Sequence, residues 1–166
     1  FQMGYSFAKA TEPAASIADF RQRAIKTYDY FIATFPQSSL AAKALRMKSS
    51  VQFETGDYAG STRTAEELAS RYPESEEAHS ARFSQVISAI EIKQWDKARD
   101  AFAKMLEKAD TFTLDDFTLV GQQLLDAGLD AEAVKAFERV KGGAQDRRLL
   151  ERALFGLGSA QFAQTN

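Results

Sequence analysis

Small and bulky apolar residues recur along this chain at a helical spacing. Ala24, Tyr28 and Phe31 stand at positions i, i+4 and i+7, which lie on one face of an α-helix. The same spacing, beginning with a small residue, returns three times further along. The later triplets are Ser61, Ala65 and Leu68, then Ala98, Phe102 and Met105, then Ala133, Phe137 and Val140. The steps between successive triplets are 37, 37 and 35 residues.

A short joint between helices is repeated with the same period. The chain has Phe35, Pro36 and Ser38 at one point, and Tyr72, Pro73 and Ser75 stand 37 residues later. Asp110 takes the place of a third proline. A fixed period between 20 and 50 residues is typical of a solenoid of stacked supersecondary units. We therefore expect an all-α solenoid.

A second pattern predicts the partner helix of each unit. In the fourth unit the pattern is Phe117, Val120, Gly121, Leu124 and Gly128. Gly121 would let a neighbouring helix approach closely, and Gly128 would end its helix in a left-handed turn. The pattern returns at the end of the chain as Leu154, Leu157, Gly158 and Gln161.

The two patterns together predict about nine helices that form helix–turn–helix units. The predicted helices span residues 1–11, 16–35, 39–54, 57–71, 76–92, 95–108, 114–127, 130–140 and 147–163. Ser38 and Ser75 are expected to cap helix N-termini, and two pairs to form capping boxes, namely Thr113 with Asp116 and Ser16 with Asp19. Gly56 predicts a tight turn, whereas Lys93 fills the matching place, so a differently shaped turn is expected there.

No Gly/Ser-rich linker interrupts the chain, so we expect one domain over residues 1–166. Its units are predicted at about 1–37, 38–74, 75–112, 113–146 and, as a partial unit, 147–166. Both ends of the chain are apolar, whereas a solenoid needs polar caps. We therefore expect a fragment of a longer repeat protein, with self-association through apolar terminal helices as the alternative.

The pattern resembles the tetratricopeptide repeat (TPR). Its first-helix and second-helix signature is matched closely by Phe117, Val120, Gly121, Leu124, Gly128, Ala133 and Phe137. Trp95, Ala98 and Phe102 match it well, as do Ala24, Tyr28 and Pro36. The second unit departs, because Lys48 and Ser49 stand where a bulky residue and glycine are expected. The resemblance implies a right-handed α-solenoid of antiparallel helix pairs.

The aromatic–proline–serine joints and the period of 37 resemble repeats of bacterial envelope proteins, such as TolA-binding proteins and outer-membrane-assembly lipoproteins. This resemblance implies a location in the bacterial periplasm or cell envelope. It implies no particular ligand, since one fold hosts many functions.

Composition narrows the class of partner. The 166 residues are 45% hydrophobic and 27% charged, as in globular proteins, and no apolar run reaches the roughly 18–20 residues of a membrane span. The net charge of −2 gives no general attraction to nucleic acid or anionic lipid. The absence of cysteine excludes disulfides, thiol catalysis and cysteine-bound metals.

No constellation of residues predicts catalysis, a cofactor or a metal, so we expect a protein that is not an enzyme. His79 is the sole histidine and has no evident catalytic partner, and Ser38 and Ser75 lack a base. Acidic residues at 74–77 and 115–116 suit helix N-termini. Arg147, Arg148 and Arg152 suit a helix start poorly, which suggests an acidic partner or a salt bridge to Glu138 or Asp146.

The resemblance implies that first helices line a concave groove. By period, the third helix would present Lys43, Arg46, Ser50 and Phe53; the fifth Phe83, Ile87 and Ile90; the seventh Thr118, Gln122 and Leu125; the ninth Arg152, Phe155 and Phe162. The candidate partner-binding residues among them are Lys43, Arg46, Phe53, Phe83, Ile87, Gln122, Arg152 and Phe155. For Phe83 and Ile87 a second interpretation has equal weight, namely that they pack under an adjacent helix and do not line the groove. The sole asparagine is Asn166, so the carboxylate clamp of some TPR proteins is not expected.

These observations favour a protein–protein interaction scaffold that binds a peptide or protein in its groove. An architectural, self-associating spacer within a larger envelope protein is one alternative. An accessory domain of an enzyme encoded elsewhere in the parent chain is another.

Overall fold

The computed structural model of the protein describes residues 14–165, and in that range it contains helices and no strand. The helices are α1 (Ala14–Thr34), α2 (Ala41–Glu54), α3 (Tyr58–Arg71), α4 (Glu76–Ser80), α5 (Arg82–Glu91), α6 (Trp95–Glu107), a 3₁₀ turn (Ala109–Thr111), α7 (Leu114–Asp126), α8 (Asp130–Gly143) and α9 (Arg147–Ala163). Every helix predicted from residue 16 onward is present, although the one predicted over 76–92 is interrupted at Ala81. The helix predicted over 1–11 lies outside the described residues.

The chain divides into two compact units, with the boundary between Ser88 and Ala89 inside α5. In the first unit α2 packs against α1 and α3, and the short α4 contacts both α2 and α3. In the second unit α8 packs against α7 and α9, and α7 also contacts α9. The predicted repeat boundaries and the solenoid stay predictions.

The recurring triplets form much of the core, as the spacing predicts. Every member of the triplets that begin at Ser61, Ala98 and Ala133 is buried. In the first triplet Ala24 and Tyr28 are buried, and Phe31 packs against the same core cluster. The 3.6-residue period therefore identified the inward faces of α1, α3, α6 and α8.

Three helix ends have the same hydrogen-bonded turn. The N–H groups of Gly56, Lys93 and Gly128 donate to the carbonyl three residues earlier, at N···O distances of 3.0, 2.9 and 3.0 Å. In each case the following N–H donates to the carbonyl five residues earlier, which completes a Schellman motif. The φ angles are +77° at Gly56, +57° at Lys93 and +73° at Gly128. The differently shaped turn expected at Lys93 is therefore wrong, since the lysine adopts the conformation that glycine adopts elsewhere.

The caps are confirmed at two helices and corrected at two. Ser75 Oγ accepts from Ala78 N at 3.1 Å, and Thr113 with Asp116 forms a complete capping box. Ser38 does not cap α2, because the helix begins three residues later and Leu40 takes the cap position. Ser16 lies inside α1, which begins at Ala14, so it is not an N-cap either.

Polar side chains fill the contact between α2 and α3, which we call the α2–α3 seam. The corresponding contact between α7 and α8 is apolar. Ser49 is buried and donates to the carbonyl of Ser61 at 3.1 Å, and Thr64 Oγ1 donates to Gln52 Oε1 at 2.7 Å. By the register of the turns, these residues correspond to Gly121, Ala133, Leu124 and Ala136. Lys48, the other departure from the pattern, pairs with Asp29 at 2.6 Å. The atypical residues of the second predicted repeat, 38–74, therefore make specific polar contacts.

The joints between helices are also tied together. Tyr72 Oη donates to the carbonyl of Pro36 at 2.7 Å, which links the two proline joints of the first unit. Arg71 donates to Glu67 at 2.6 Å, and this hydrogen bond is the main cause that raises the pKa of Arg71 above its ordinary value. In the second unit Asp110, at the third joint, accepts from Arg139 Nη2 at 2.6 Å.

Candidate interaction surface

Three candidate partner-binding residues lie on α2 in the first unit. Lys43 is exposed, whereas Arg46 is half-buried and its Nη2 lies 3.3 Å from the sulfur of Met47. Phe53 is half-buried and packs edge-on against Tyr58, with ring centroids 5.6 Å apart. This face of α2 therefore offers two cations and part of an aromatic ring.

The two candidates on α5 offer less surface. Phe83 is half-buried, and Ile87 has only 7% of its surface exposed. A peptide would find little contact area at Ile87 in this conformation. Ile90, further along the predicted groove face, is equally buried.

On α7, Gln122 is exposed and its Nε2 donates to Asp126 Oδ1 at 2.8 Å. Thr118 is buried, and its hydroxyl donates to the carbonyl of Leu114 at 2.7 Å, one turn earlier in the helix. Thr118 is predicted to line the groove, but its hydroxyl instead bonds to the backbone of its own helix.

The large apolar side chains of the second unit with the greatest exposed fractions lie on α9. Phe155 is 77% exposed, Phe162 is 70% exposed and Leu154 is 50% exposed. Together with Gly158 and Ser159 they line a shallow concavity of about 460 Å³. We name the surface formed by Leu154, Phe155, Gly158 and Phe162 the α9 apolar face.

Basic residues lie at the N-terminal end of α9. Arg148 and Arg152 both approach Asp115 of α7, at 3.4 and 3.8 Å, and Arg147 pairs with Glu151 at 2.6 Å. The salt bridge to Glu138 or Asp146 that the sequence suggests is not among these contacts. Asp146 instead caps α9 by accepting from Leu149 N at 2.9 Å. These arginines remain partly exposed, and each of them lies within 4 Å of a carboxylate oxygen of this chain.

The fold brings the candidates together in two groups. Gln122, Arg152 and Phe155 belong to the second unit, where α7 and α9 are in contact. Lys43, Arg46, Phe53, Phe83 and Ile87 belong to the first unit.

Sequence reasoning did not single out Leu154 as a surface residue. It stands 37 residues after Phe117, which is fully buried, so the repeat pattern predicts a core position. Leu119 and Leu150 are also exposed, and no periodic signal separates them from core leucines. Only the packing of the helices distinguishes these side chains.

A second concavity, of about 440 Å³, surrounds the turn at Lys93 and is lined by Gln94, Trp95, Asp96, Lys97 and Arg99. Arg99 is held there by Asp96 at 3.3 Å and by Glu132 at 3.6 Å. Its charges are therefore largely balanced within the chain.

Within residues 14–165 the structure contains neither a metal-binding cluster nor a membrane-spanning helix. No group of three or more His, Cys, Asp or Glu side chains lies close enough to hold a metal ion in this part of the chain. None of the described helices is long and apolar enough to cross a bilayer. His79 lies half-buried in the short α4.

Comparison of the chain with protein-family models, with curated proteins and with solved structures gives no match. The resemblance to the TPR family therefore rests on the repeated residues themselves.

Proposed function

We propose that this chain is a non-catalytic interaction scaffold of TPR-like helix pairs, arranged as a right-handed solenoid, that binds a peptide or protein. The observation that carries the proposal is Phe155, a phenylalanine with 77% of its surface exposed beside a concavity. An exposed aromatic side chain costs solvation free energy, and contiguous exposed apolar surface marks interaction sites.

The chemistry around Phe155 suits protein recognition. Binding energy at interfaces concentrates in a few aromatic and arginine side chains that become desolvated. Arg152 lies one helical turn before Phe155, and its contact with Asp115 is long, at 3.8 Å. An acidic group of a partner would compete for this guanidinium, so the surface favours a peptide with an apolar anchor next to a carboxylate.

A photo-crosslinking experiment tests the proposal in the intact protein. A benzoylphenylalanine at position 155 is expected to give a discrete crosslinked partner, whereas the same probe at Glu138, exposed on α8, is not. With that partner purified, Phe155→Ala should weaken binding at least tenfold, as a hot-spot residue does. The proposal of a binding groove would be refuted if four single variants all bound the partner with wild-type affinity. These variants are Arg46→Ala, Phe83→Ala, Gln122→Ala and Phe155→Ala.

The α9 apolar face also gives some support to the second candidate, a self-associating spacer in a larger envelope protein. Sedimentation equilibrium separates the two, because a spacer of this kind would form dimers whose mass depends on concentration. A location in the bacterial envelope rests on the joint motif alone, and the accessory-domain alternative on no observation in this chain.

A further inference from the structure

Four buried polar side chains meet in the α2–α3 seam, and each has a partner within the seam. Ser49 Oγ lies 3.1 Å from both the carbonyl oxygen and the Oγ of Ser61. Thr64 Oγ1 donates to Gln52 Oε1 at 2.7 Å, and Gln52 Nε2 donates at 3.4 Å to Asp57, the N-cap residue of α3. These hydrogen bonds match α2 to α3 side chain by side chain.

The matching positions of α7 and α8 carry no polar side chain. Gly128 stands 72 residues after Gly56, and the same step relates the two helix contacts. The counterparts of Ser49, Gln52, Ser61 and Thr64 are, in this order, Gly121, Leu124, Ala133 and Ala136. The α7–α8 contact is therefore apolar at each point where the α2–α3 seam is hydrogen-bonded.

Hydrogen bonding makes α8 a poor partner for α2. The positions of α8 that match Ser61 and Thr64 are alanines, so α2 would bury Ser49 and Gln52 against it without their partners. A buried polar group that lacks its hydrogen bond costs more than a paired one contributes.

The shapes of the helices oppose this pairing as well. A Cβ added at Gly60 on α3 would lie 2.6 Å from Gln52 Nε2, and the counterpart of this glycine on α8 is Glu132. A Cβ added at Gly121 on α7 would lie 3.0 Å from the ring of Phe137, and α2 carries a serine at the matching position. In the native register, α2 and α8 would therefore overlap at two places.

Helix α7 would fit α3 no better. The counterpart of Phe137 on α3 is Ala65, so no ring would fill the space beside Gly121. Thr64 would face Leu124 and lose the acceptor that α2 provides. Each wrong pairing thus loses contacts that the native pairings make.

We propose that the α2–α3 seam selects the partner of α2 during folding: its buried polar side chains make α2 pair with α3 and not with α8. A chain with several similar helix pairs offers each helix wrong partners, and misassembly of neighbouring units is a characteristic failure of repeat proteins. Buried polar residues set the register and the partner of helices in coiled coils. This inference concerns folding and does not depend on what the chain binds.

Disulfide trapping during refolding of the full chain detects the wrong pair. The chain has no cysteine, so a disulfide reports only an introduced pair. Ser49→Cys with Ala133→Cys is the trap, because position 133 matches Ser61, whose Oγ lies 3.1 Å from that of Ser49. Oxidant added after folding gives the baseline. Ser49→Cys with Ser61→Cys is the matched control for the native pair.

The trap is compared in two backgrounds, one with the polar side chains intact and one with Gln52→Leu, Ser61→Ala and Thr64→Ala. We expect the second background to fold, because a leucine and an alanine occupy the same positions of α7 and α8. The disulfide between positions 49 and 133 should be roughly tenfold more abundant there, since the wrong pairing no longer buries unpaired polar groups. If this chain loses its helical circular dichroism, Gln52→Met with Thr64→Val replaces it.

An exchange of the polar pair separates selection from local stability. Leu124→Gln and Ala136→Thr are added to the apolar background, so that the two helix contacts again differ. We expect the disulfide between positions 49 and 133 to return to the level of the polar background, because α8 would then bury an unpaired hydroxyl against α2.

Two results would overturn the inference. One is an equal yield of this disulfide in the polar and apolar backgrounds, which would leave the seam a stabilising role only. The other is an exchanged chain that folds and is trapped as often as the apolar one. The comparison of the first two backgrounds decides the inference even if the exchanged chain does not fold.

Discussion

Three glycines in the second unit differ in what they contact, although all lie inside helices. Gly121 and Gly156 both lie against the ring of Phe137, whereas no described atom lies within 4 Å of a Cβ added at Gly158. Helix propensity alone would favour replacing each of them with alanine. Packing reverses that preference at the first two.

The first prediction compares alanine at these three positions. Gly156→Ala should lower the free energy of unfolding by about 1–3 kcal/mol because the new methyl group overlaps the Phe137 ring. Gly121→Ala should be less costly because its Cβ would lie 3.0 Å away and not 2.5 Å. Gly158→Ala should raise the free energy of unfolding by up to about 1 kcal/mol. Urea unfolding measures all three, and a destabilising Gly158→Ala would contradict the open site.

Lys93 is the one described non-glycine residue with a positive φ. A left-handed conformation costs an L-residue roughly 1–2 kcal/mol, and glycine avoids the cost. The lysine thus retains strain at a turn whose counterparts at the ends of two other helices contain Gly56 and Gly128.

The second prediction follows from that strain. Lys93→Gly should raise the free energy of unfolding by about 0.5–1 kcal/mol after the greater backbone entropy of glycine is subtracted. Thermal or urea unfolding measures the change. Lys135→Gly, at an exposed position inside α8, serves as control and should lower stability by about 0.5–1 kcal/mol. Destabilisation by both substitutions would show that the turn is unstrained.

At the scale of elements, the α2–α3 pair and the α7–α8 pair reach similar packing by different chemistry. Buried polar groups are tolerated between α2 and α3 because they are paired, as Thr64 is with Gln52. The corresponding positions of α7 and α8 are Leu124 and Ala136, both buried and apolar.

The third prediction is a double-mutant cycle across this seam. Thr64→Ala should cost about 1–3 kcal/mol because it leaves Gln52 Oε1 buried without its donor, and Gln52→Leu should cost a similar amount. The double variant, which reproduces the Leu124–Ala136 pair, should recover much of the loss, with a coupling of about 0.5–3 kcal/mol. Circular dichroism during urea unfolding provides the values. Additive losses would mean that the hydrogen bond contributes nothing specific.

At the scale of the molecule, two compact units are distinguished, and the single tryptophan, Trp95, lies in the second. Its fluorescence therefore reports on the unit that contains the α9 apolar face, whereas the helical circular dichroism signal reports on both.

The fourth prediction compares one core substitution in each unit. Phe137→Ala and Leu68→Ala should each cost about 2–5 kcal/mol, since both side chains are fully buried. Because a core substitution acts first on the compact unit that contains it, Phe137→Ala should lower the urea midpoint of Trp95 fluorescence more than Leu68→Ala does. Phe155→Ala, an exposed control, should stay within about 0.5 kcal/mol of wild type. Equal midpoints for the two core variants would indicate a single cooperative transition.

Local and periodic features were predictable from the sequence. The triplets gave the buried faces of α3, α6 and α8, Gly56 and Gly128 gave two helix ends, and Thr113 with Asp116 gave a capping box. These features depend on residues within one or two helical turns, so neighbours in sequence suffice to predict them. The cap at Ser38 and the turn at Lys93 were mispredicted because residue preference, without backbone geometry, chose the wrong position or conformation.

The sequence by itself determined where the described helices lie, apart from the interruption at Ala81, and which residues of the recurring triplets face a core. Only the tertiary structure decided which matching positions are covered. Leu154 and Phe117, or Gly158 and Gly121, are equivalent in sequence, yet one of each pair is buried and the other is open. Burial depends on which helix packs alongside, a contact between distant segments that no local pattern contains. The α9 apolar face is therefore a property of the packing.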